Sequence, residues 1–410
     1  MLLRPLMHHP KQFMHFYFAS FRGFSLPVWM GLMAVFANAV GSITSVFLSL
    51  YFVTKLGFSI TDSGWIITAF GIGAILGAYI SGFLCDRISP YAVMLFSLNI
   101  NAVALLLLPL LKDFYPLMYL VGIMGAANSA FAPAGRLWLM KKCNNDADRI
   151  RVSSVRYMLL NLGAGAGVAV GGWLAQFSFS FLFITNGLFV LLSAVILALL
   201  RINKMRRIPV IKEATTNAIF EKHPQHLKIV LLIYLMLFIA SLMFSQLRIT
   251  YPIYLHNNFQ INTEGLGYLF LFNCLMIVFL QIPLQIGTGR FNQILVAAIG
   301  CLCIGIGLFS LVLGNSYWLA MCSSGLWTIG EMLAFPVLQV VLYNWAGETS
   351  KGKHMGFYQT IYAFANIAGP ILGSWTFKLA NGDVLWCLCG LLGILSFYLG
   401  KKTYEMARHY

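Results

Sequence analysis

Long apolar blocks separated by short polar gaps repeat along the whole of this 410-residue chain. The blocks fall at about 28–54, 62–85, 90–111, 115–140, 153–176, 178–200, 229–255, 264–288, 292–314, 316–344, 355–378 and 383–400. Each is close to or above the roughly 20 residues that a helix needs to cross the apolar core of a bilayer. The pattern therefore predicts about twelve membrane-spanning helices. Strands of a membrane barrel would alternate apolar and polar residues, and these blocks do not. One polar segment, Arg201 to Lys228, divides the blocks six and six; it holds Arg201, Lys204, Arg206, Arg207, Lys212, Lys222 and Lys228 and has no apolar stripe. The expected organisation is a tail over 1–24, a six-helix domain over 25–200, a linker over 201–228, a second six-helix domain over 229–402 and a tail over 403–410.

Composition narrows the class to an all-α membrane protein. The chain is 60% hydrophobic and 10% charged, more apolar than a water-soluble fold of this length requires. A net charge of +15 would suit a nucleic-acid partner, but the basic residues lie in loops between apolar spans, so none is expected. Their placement instead sets topology. With both termini and the central segment in the cytoplasm, 23 of the 27 Lys and Arg lie on the inner side, and only Lys55, Lys112, Arg248 and Lys378 lie outside. Residues Met1 to Phe24 carry Arg4, Lys11 and Arg22 without a small-residue cleavage site, and read as a retained cytoplasmic tail. The eight cysteines form no CxxC and no Cys/His cluster, so neither a disulfide framework nor a metal site nor a cofactor is expected.

The two halves repeat. Phe58-Ser-Ile60-Thr-Asp-Ser-Gly64 precedes the second block, and Phe259-Gln-Ile261-Asn-Thr-Glu-Gly265 precedes the eighth, 201 residues later. Gly167-Val-Ala-Val-Gly171-Gly-Trp173 in the fifth block matches Gly369-Pro-Ile-Leu-Gly373-Ser-Trp375 in the eleventh, 202 residues later. Both halves enter the membrane in the same sense, so the repeat is parallel, about an axis along the membrane normal.

Glu331 stands apart from the other eleven acidic residues, which fall in or beside predicted loops. It lies near the middle of an otherwise uncharged span, Ser316 to Tyr343. A carboxylate there costs several kcal/mol (about 2.5–3.5 on insertion scales) unless it is protonated, paired or facing water. It reads as a proton-coupling group; the plainer alternative is a neutral carboxyl hydrogen-bonded inside the bundle. By the repeat offset its first-half counterpart is about Ala130, so the carboxylate breaks the internal symmetry.

Gly82-Phe-Leu84-Cys-Asp86-Arg87 ends the second block. The glycine permits close helix approach, and the aspartate can face a neighbouring helix N-terminus across the seam. With twelve helices and the repeat, the chain resembles the major facilitator superfamily, and this segment resembles its Gly-x-x-x-Asp-Arg loop. Downstream the usual Gly and basic residues are replaced by Ser89, Pro90 and Tyr91, and the second-half loop, Gln285 to Arg290, lacks the Asp. The fifth block, with Asn161, Gly163, Gly165, Gly167, Gly171 and Gly172, resembles the antiporter motif of drug:proton exporters, with Val168 where Pro is expected; the eleventh keeps Gly369-Pro370. Phe131-Ala-Pro133-Ala-Gly-Arg136 and Thr328 to Pro336 are similar to a bacterial multidrug-exporter branch. The first block has no acid, and the early Arg of the fourth is missing.

The resemblance implies two parallel six-helix repeats in the major facilitator fold, with helices one, four, seven and ten lining a central cavity. It implies Glu331 as the proton site, and Gly82, Asp86, Arg87, Gly167, Gly369 and Pro370 as gating positions. Arg136 and Arg248 are candidates to bind an anionic group or to stabilise ionised Glu331; snorkelling to the nearer interface is the plainer reading of each. Asn38, Ser42 and Ser45 form a polar face of helix one; Asn161, Gln246 and Trp327 complete the cavity candidates.

The expected function is secondary active transport by alternating access. The first alternative is proton-coupled export of small amphipathic compounds by a monomer in the bacterial inner membrane; the second is import of a nutrient, siderophore or peptide-like anion. A membrane enzyme would need converging His, Asp, Glu or Cys, which the spans lack. No GxxxxGK[ST] loop is present to couple ATP.

Overall fold

The computed structural model describes residues 21, 23–41, 48, 51–202, 224–248, 250–380 and 382–408. Ser42, Ser45, most of the linker, most of the N-terminal tail and the last two residues lie outside the described residues. Helices in the first half are α1 (Leu26–Val40), α2 (Ile60–Arg87), α3 (Pro90–Leu107), α4 (Phe114–Met140), α5 (Asp146–Phe177) and α6 (Phe179–Ile202). In the second half α7 is described in two pieces, Pro224–Ser245 and Thr250–Phe259, with a 3-10 turn Gln246–Arg248 after the first. It is followed by α8 (Thr263–Thr288), α9 (Gln293–Phe309), α10 (Tyr317–Trp345), α11 (Lys351–Ala380) and α12 (Gly382–Arg408). Among the described residues nine helices are long and apolar enough to span a bilayer, and there is no strand.

Local chemistry explains the boundaries. The Ser59, Asn145, Asn262, Asn292 and Ser316 side chains accept backbone N–H bonds at the starts of α2, α5, α8, α9 and α10. Helix α5 begins seven residues before its apolar block, because Asn145 caps it and Asp146 and Asp148 occupy its first turn, where carboxylates favour the positive helix end. The break expected at 177 falls one residue later, at Ser178, between α5 and α6.

The packing is repeated. In the first half α1 packs on α5 and α6, α2 on α4, and α3 on α4 and α6. In the second half α7 packs on α11 and α12, α8 on α10, and α9 on α10 and α12. Every pair maps onto its counterpart six helices on, which is the parallel repeat in three dimensions. Small residues set the closest approaches. A Cβ on Gly163 would meet Ala39 Cβ of α1 at 2.7 Å, and one on Gly369 would collide with Ser245 of α7. The halves meet where α2 and α4 face α11 and where α5 faces α8 and α10.

A proline in α10 sets one further requirement. Pro336 has no N–H, so the carbonyl of Met332, one turn earlier, loses its helical donor. Two glutamines of α8 supply it: Gln281 and Gln285 donate their Nε2 atoms to Met332 O at 3.2 and 2.6 Å, and both side chains are buried. A buried carbonyl without a donor costs about 1–3 kcal/mol. Replacing both glutamines by leucine should therefore lower the melting temperature of the purified protein. Adding Pro336→Ala to that variant should recover most of the loss, because the alanine N–H closes the helical bond to Met332 O. Equal melting temperatures for the double and triple variants would remove the glutamines from this role.

Candidate functional site

Glu331 is the midpoint of α10 and is 2% exposed. Its two oxygens are held from two directions. Tyr157 of α5 donates its hydroxyl to Oε1 at 2.5 Å, and Asn273 of α8 donates Nδ2 to Oε2 at 3.0 Å. Asn273 Nδ2 also reaches Thr328 Oγ1 at 2.9 Å, one turn back along α10. Tyr157 belongs to the first half and Asn273 to the second, so the carboxylate is shared across the seam. Sequence reasoning placed Glu331 at mid-span but missed both partners, and its described partners are neutral rather than Arg136 or Arg248.

The end of the bundle that carries the α2–α3 turn and the Lys/Arg-rich loops is the basic end. There α2 and α11 cross through glycines. A Cβ on Gly82 would stand 2.6 Å from Gly356 Cα and 2.8 Å from Gly352 O. One turn on, the Asp86 carboxylate accepts from Gly352 N at 2.6 Å and Lys353 N at 2.7 Å, the first amides of α11. An anion at a helix N-terminus satisfies free N–H groups and the helix dipole together. Arg87 makes no ion pair with Asp86; its guanidinium lies 3.9 Å from the Phe83 ring centroid, one turn back on its own helix. At the same end Arg149 of α5 donates to Asn344 of α10 at 3.2 Å.

Between the basic end and Glu331 lie two buried arginines. Arg136 of α4 is 7% exposed and Arg156 of α5 is 3% exposed. Arg136 stacks on Tyr358 of α11, Cζ to ring centroid 4.5 Å, and is within electrostatic reach of Tyr362 and Tyr157. The Tyr358 hydroxyl donates to Phe335 O of α10 at 3.2 Å. Arg156 was missed because a basic residue four positions into an apolar block reads as an interfacial anchor.

The remaining candidates are placed as follows. Gln246 is buried and committed to helix packing: its Nε2 donates to Gly369 O of α11 at 2.9 Å, and its Oε1 accepts from Thr250 at 3.0 Å. Gly369 and Pro370 lie at that same α7–α11 contact. Trp327 is 2% exposed and edge-on to Phe244 and Tyr251 of α7, each at 6.3 Å. Arg248 is exposed at the interruption of α7. Asn38 is buried on α1. Asn161 donates to Tyr157 O at 3.0 Å within α5, and Gly167 is buried.

Two six-helix repeats meeting around a shared mid-span carboxylate define a multi-pass transporter. The model for the Major Facilitator Superfamily matches residues 30–343 and 233–405, and the chain belongs to that superfamily. Among its relatives is an uncharacterised MFS-type transporter, YttB, of Bacillus subtilis (strain 168), 23% identical over 79% of this chain and 81% of that protein. Multidrug resistance protein MdtH of Photorhabdus laumondii is 22% identical over 88% of this chain and 90% of that protein. The human organic anion transporter MFSD10 (TETRAN) shares the fold, with a TM-score of 0.71 at 16% identity over 91% of this chain and 98% of that one.

Removing the Asp86 charge should loosen the basic end. A hydrogen bond to a charged group contributes about 1.5–3 kcal/mol. In an otherwise cysteine-free chain, a Met355→Cys reporter, at a site that is 0% exposed, should react with maleimide about tenfold faster once Asp86→Asn is added. Equal labelling with Asp86 and with Asn would mean that the carboxylate does not hold α11.

Proposed function

We propose that this protein is a proton-coupled secondary active transporter that exports small amphipathic compounds across the bacterial cytoplasmic membrane. It works as a monomer by alternating access, with the basic end, both termini and the linker in the cytoplasm. The observation that carries this reading is the hydrogen bond from Tyr157 to Glu331, which joins a protonatable group at mid-membrane to the opposite half of the bundle. The relatives named as multidrug resistance proteins support efflux, and the basic residues on one side support the orientation.

The cycle follows from what a carboxylate can accept. Ionised Glu331 accepts from Tyr157 and from Asn273, so the negative form holds α5 against α10 and keeps the basic end shut. A proton arriving from the opposite face occupies one oxygen and weakens the bond across the seam. The equilibrium then moves towards opening at the basic end, where the Asp86 contact and the Arg149–Asn344 contact also part. Water entering from that side takes the proton, substrate enters, and ionised Glu331 draws the halves together again. Proton entry and substrate exit thus share one two-state element.

Proteoliposomes with a pH gradient and a fluorescent amphipathic cargo test this. Glu331→Gln should bind and exchange cargo yet show no gradient-driven accumulation, while Tyr157→Phe should retain accumulation at a rate reduced about three- to tenfold, the loss of one hydrogen bond. Uphill transport by Glu331→Gln at the wild-type rate would overturn proton coupling through this residue.

A further inference from the structure

The arginine pair is the unexplained chemistry of this molecule. Arg136 and Arg156 sit on adjacent helices, each more than nine-tenths buried, and the Arg136 charge acts on Arg156. Among the described residues neither is in an ion pair; the ion pairs described are Arg149–Asp146, Arg151–Asp148 and Lys351–Glu348, all at the basic end. Arg136 Nε and Nη1 and Arg156 Nε have no hydrogen-bond partner. A buried ion costs several kcal/mol, and a second like charge beside it adds repulsion. Two buried guanidiniums on adjacent helices, each with an unpartnered N–H group, can together receive a compact oxyanion.

The surroundings describe the rest of the ligand. Tyr358 packs against Arg136 and lies near Arg156. Beyond it Tyr362 of α11 and Phe335 of α10 meet edge-to-face at 5.7 Å, and Phe335 meets Phe244 of α7 at 5.3 Å. The buried arginines therefore lie beside aromatic rings from three helices of the other half. We propose that Arg136 and Arg156 form the anion-binding end of the substrate site, and that the cargo is an organic anion: a carboxylate or similar compact oxyanion on an apolar, ring-containing body. This rests on the transporter reading above and specifies its substrate class.

Binding is measured on the purified full chain in a neutral detergent, without a gradient, as ligand-dependent thermal stabilisation. The probes are 2-naphthoate, its neutral counterpart 2-naphthamide, inorganic phosphate and phosphatidylglycerol. The expected result is saturable stabilisation by 2-naphthoate and none by the amide, with binding weakened about ten- to a hundredfold in Arg136→Gln and in Arg156→Gln. Arg136→Lys and Arg156→Lys, which keep the charge and guard against a folding defect, should bind 2-naphthoate more tightly than the glutamine variants and less tightly than the wild type. Equal stabilisation by naphthoate and naphthamide, or wild-type affinity in either glutamine variant, overturns the proposal. Stabilisation by phosphate or phosphatidylglycerol as strong as by naphthoate overturns the assignment to cargo, since a free ion or a lipid headgroup then meets the arginines. A chain that binds 2-naphthoate through the arginines but does not move it in proteoliposomes fails the transport reading alone. One that pumps neutral amphiphiles against a proton gradient and ignores naphthoate fails only this one.

Discussion

A membrane interior tolerates an ionisable group only where the protein supplies its hydrogen bonds, and Glu331 receives one bond from each half of the molecule. Much of the surrounding structure follows from that requirement. Helices α5, α8 and α10 have to converge at a single level. Asn273 must point across to α10, and Tyr157 must cross the seam. The carboxylate is consequently a joint as well as a buried charge: its partners belong to different halves of the molecule. A carboxyl satisfied within one half would not tie the two halves together at mid-span.

A second tier of contacts keeps the frame around that joint stiff. The carbonyl next along α10 from Glu331 is the one that Pro336 leaves without a donor, and α8 satisfies it twice. Helix α8 therefore grips α10 both at the carboxylate and immediately beyond it. In the first half the same helix pair is joined by Ser81 donating to Ala130 O at 2.6 Å, at the position equivalent to Glu331. The repeat keeps the pairing and changes its chemistry, so one half holds a protonatable group where the other has a backbone contact.

Long-range pattern and short motifs were legible in the sequence for different reasons. Span number and the parallel repeat were readable because apolar length and residue identity at a fixed offset survive without knowledge of packing. The Asp86 contact was readable because glycine four residues before an aspartate at a helix end has few physical uses other than close approach and capping. Tyr157, Asn273 and Arg156 were not, since a tyrosine, an asparagine and a basic residue near a span end are each ordinary in membrane helices, and only the crossing of α5, α8 and α10 brings them together. Gln246 looked like a cavity group for the converse reason: polarity in a span shows that a partner exists, and the partner was the α11 backbone.

The crossing of α2 over α11 also bears on how such a chain can change over evolutionary time. Gly82 and Gly356 each stand where the other's side chain would go, with Gly352 pressed against both Gly82 and Asp86. A side chain gained at any one of the three is not compensated by shrinking the others, because glycine has nothing left to give up. The crossing is thus closed to gradual substitution, while positions on the lipid-facing surfaces keep room to vary.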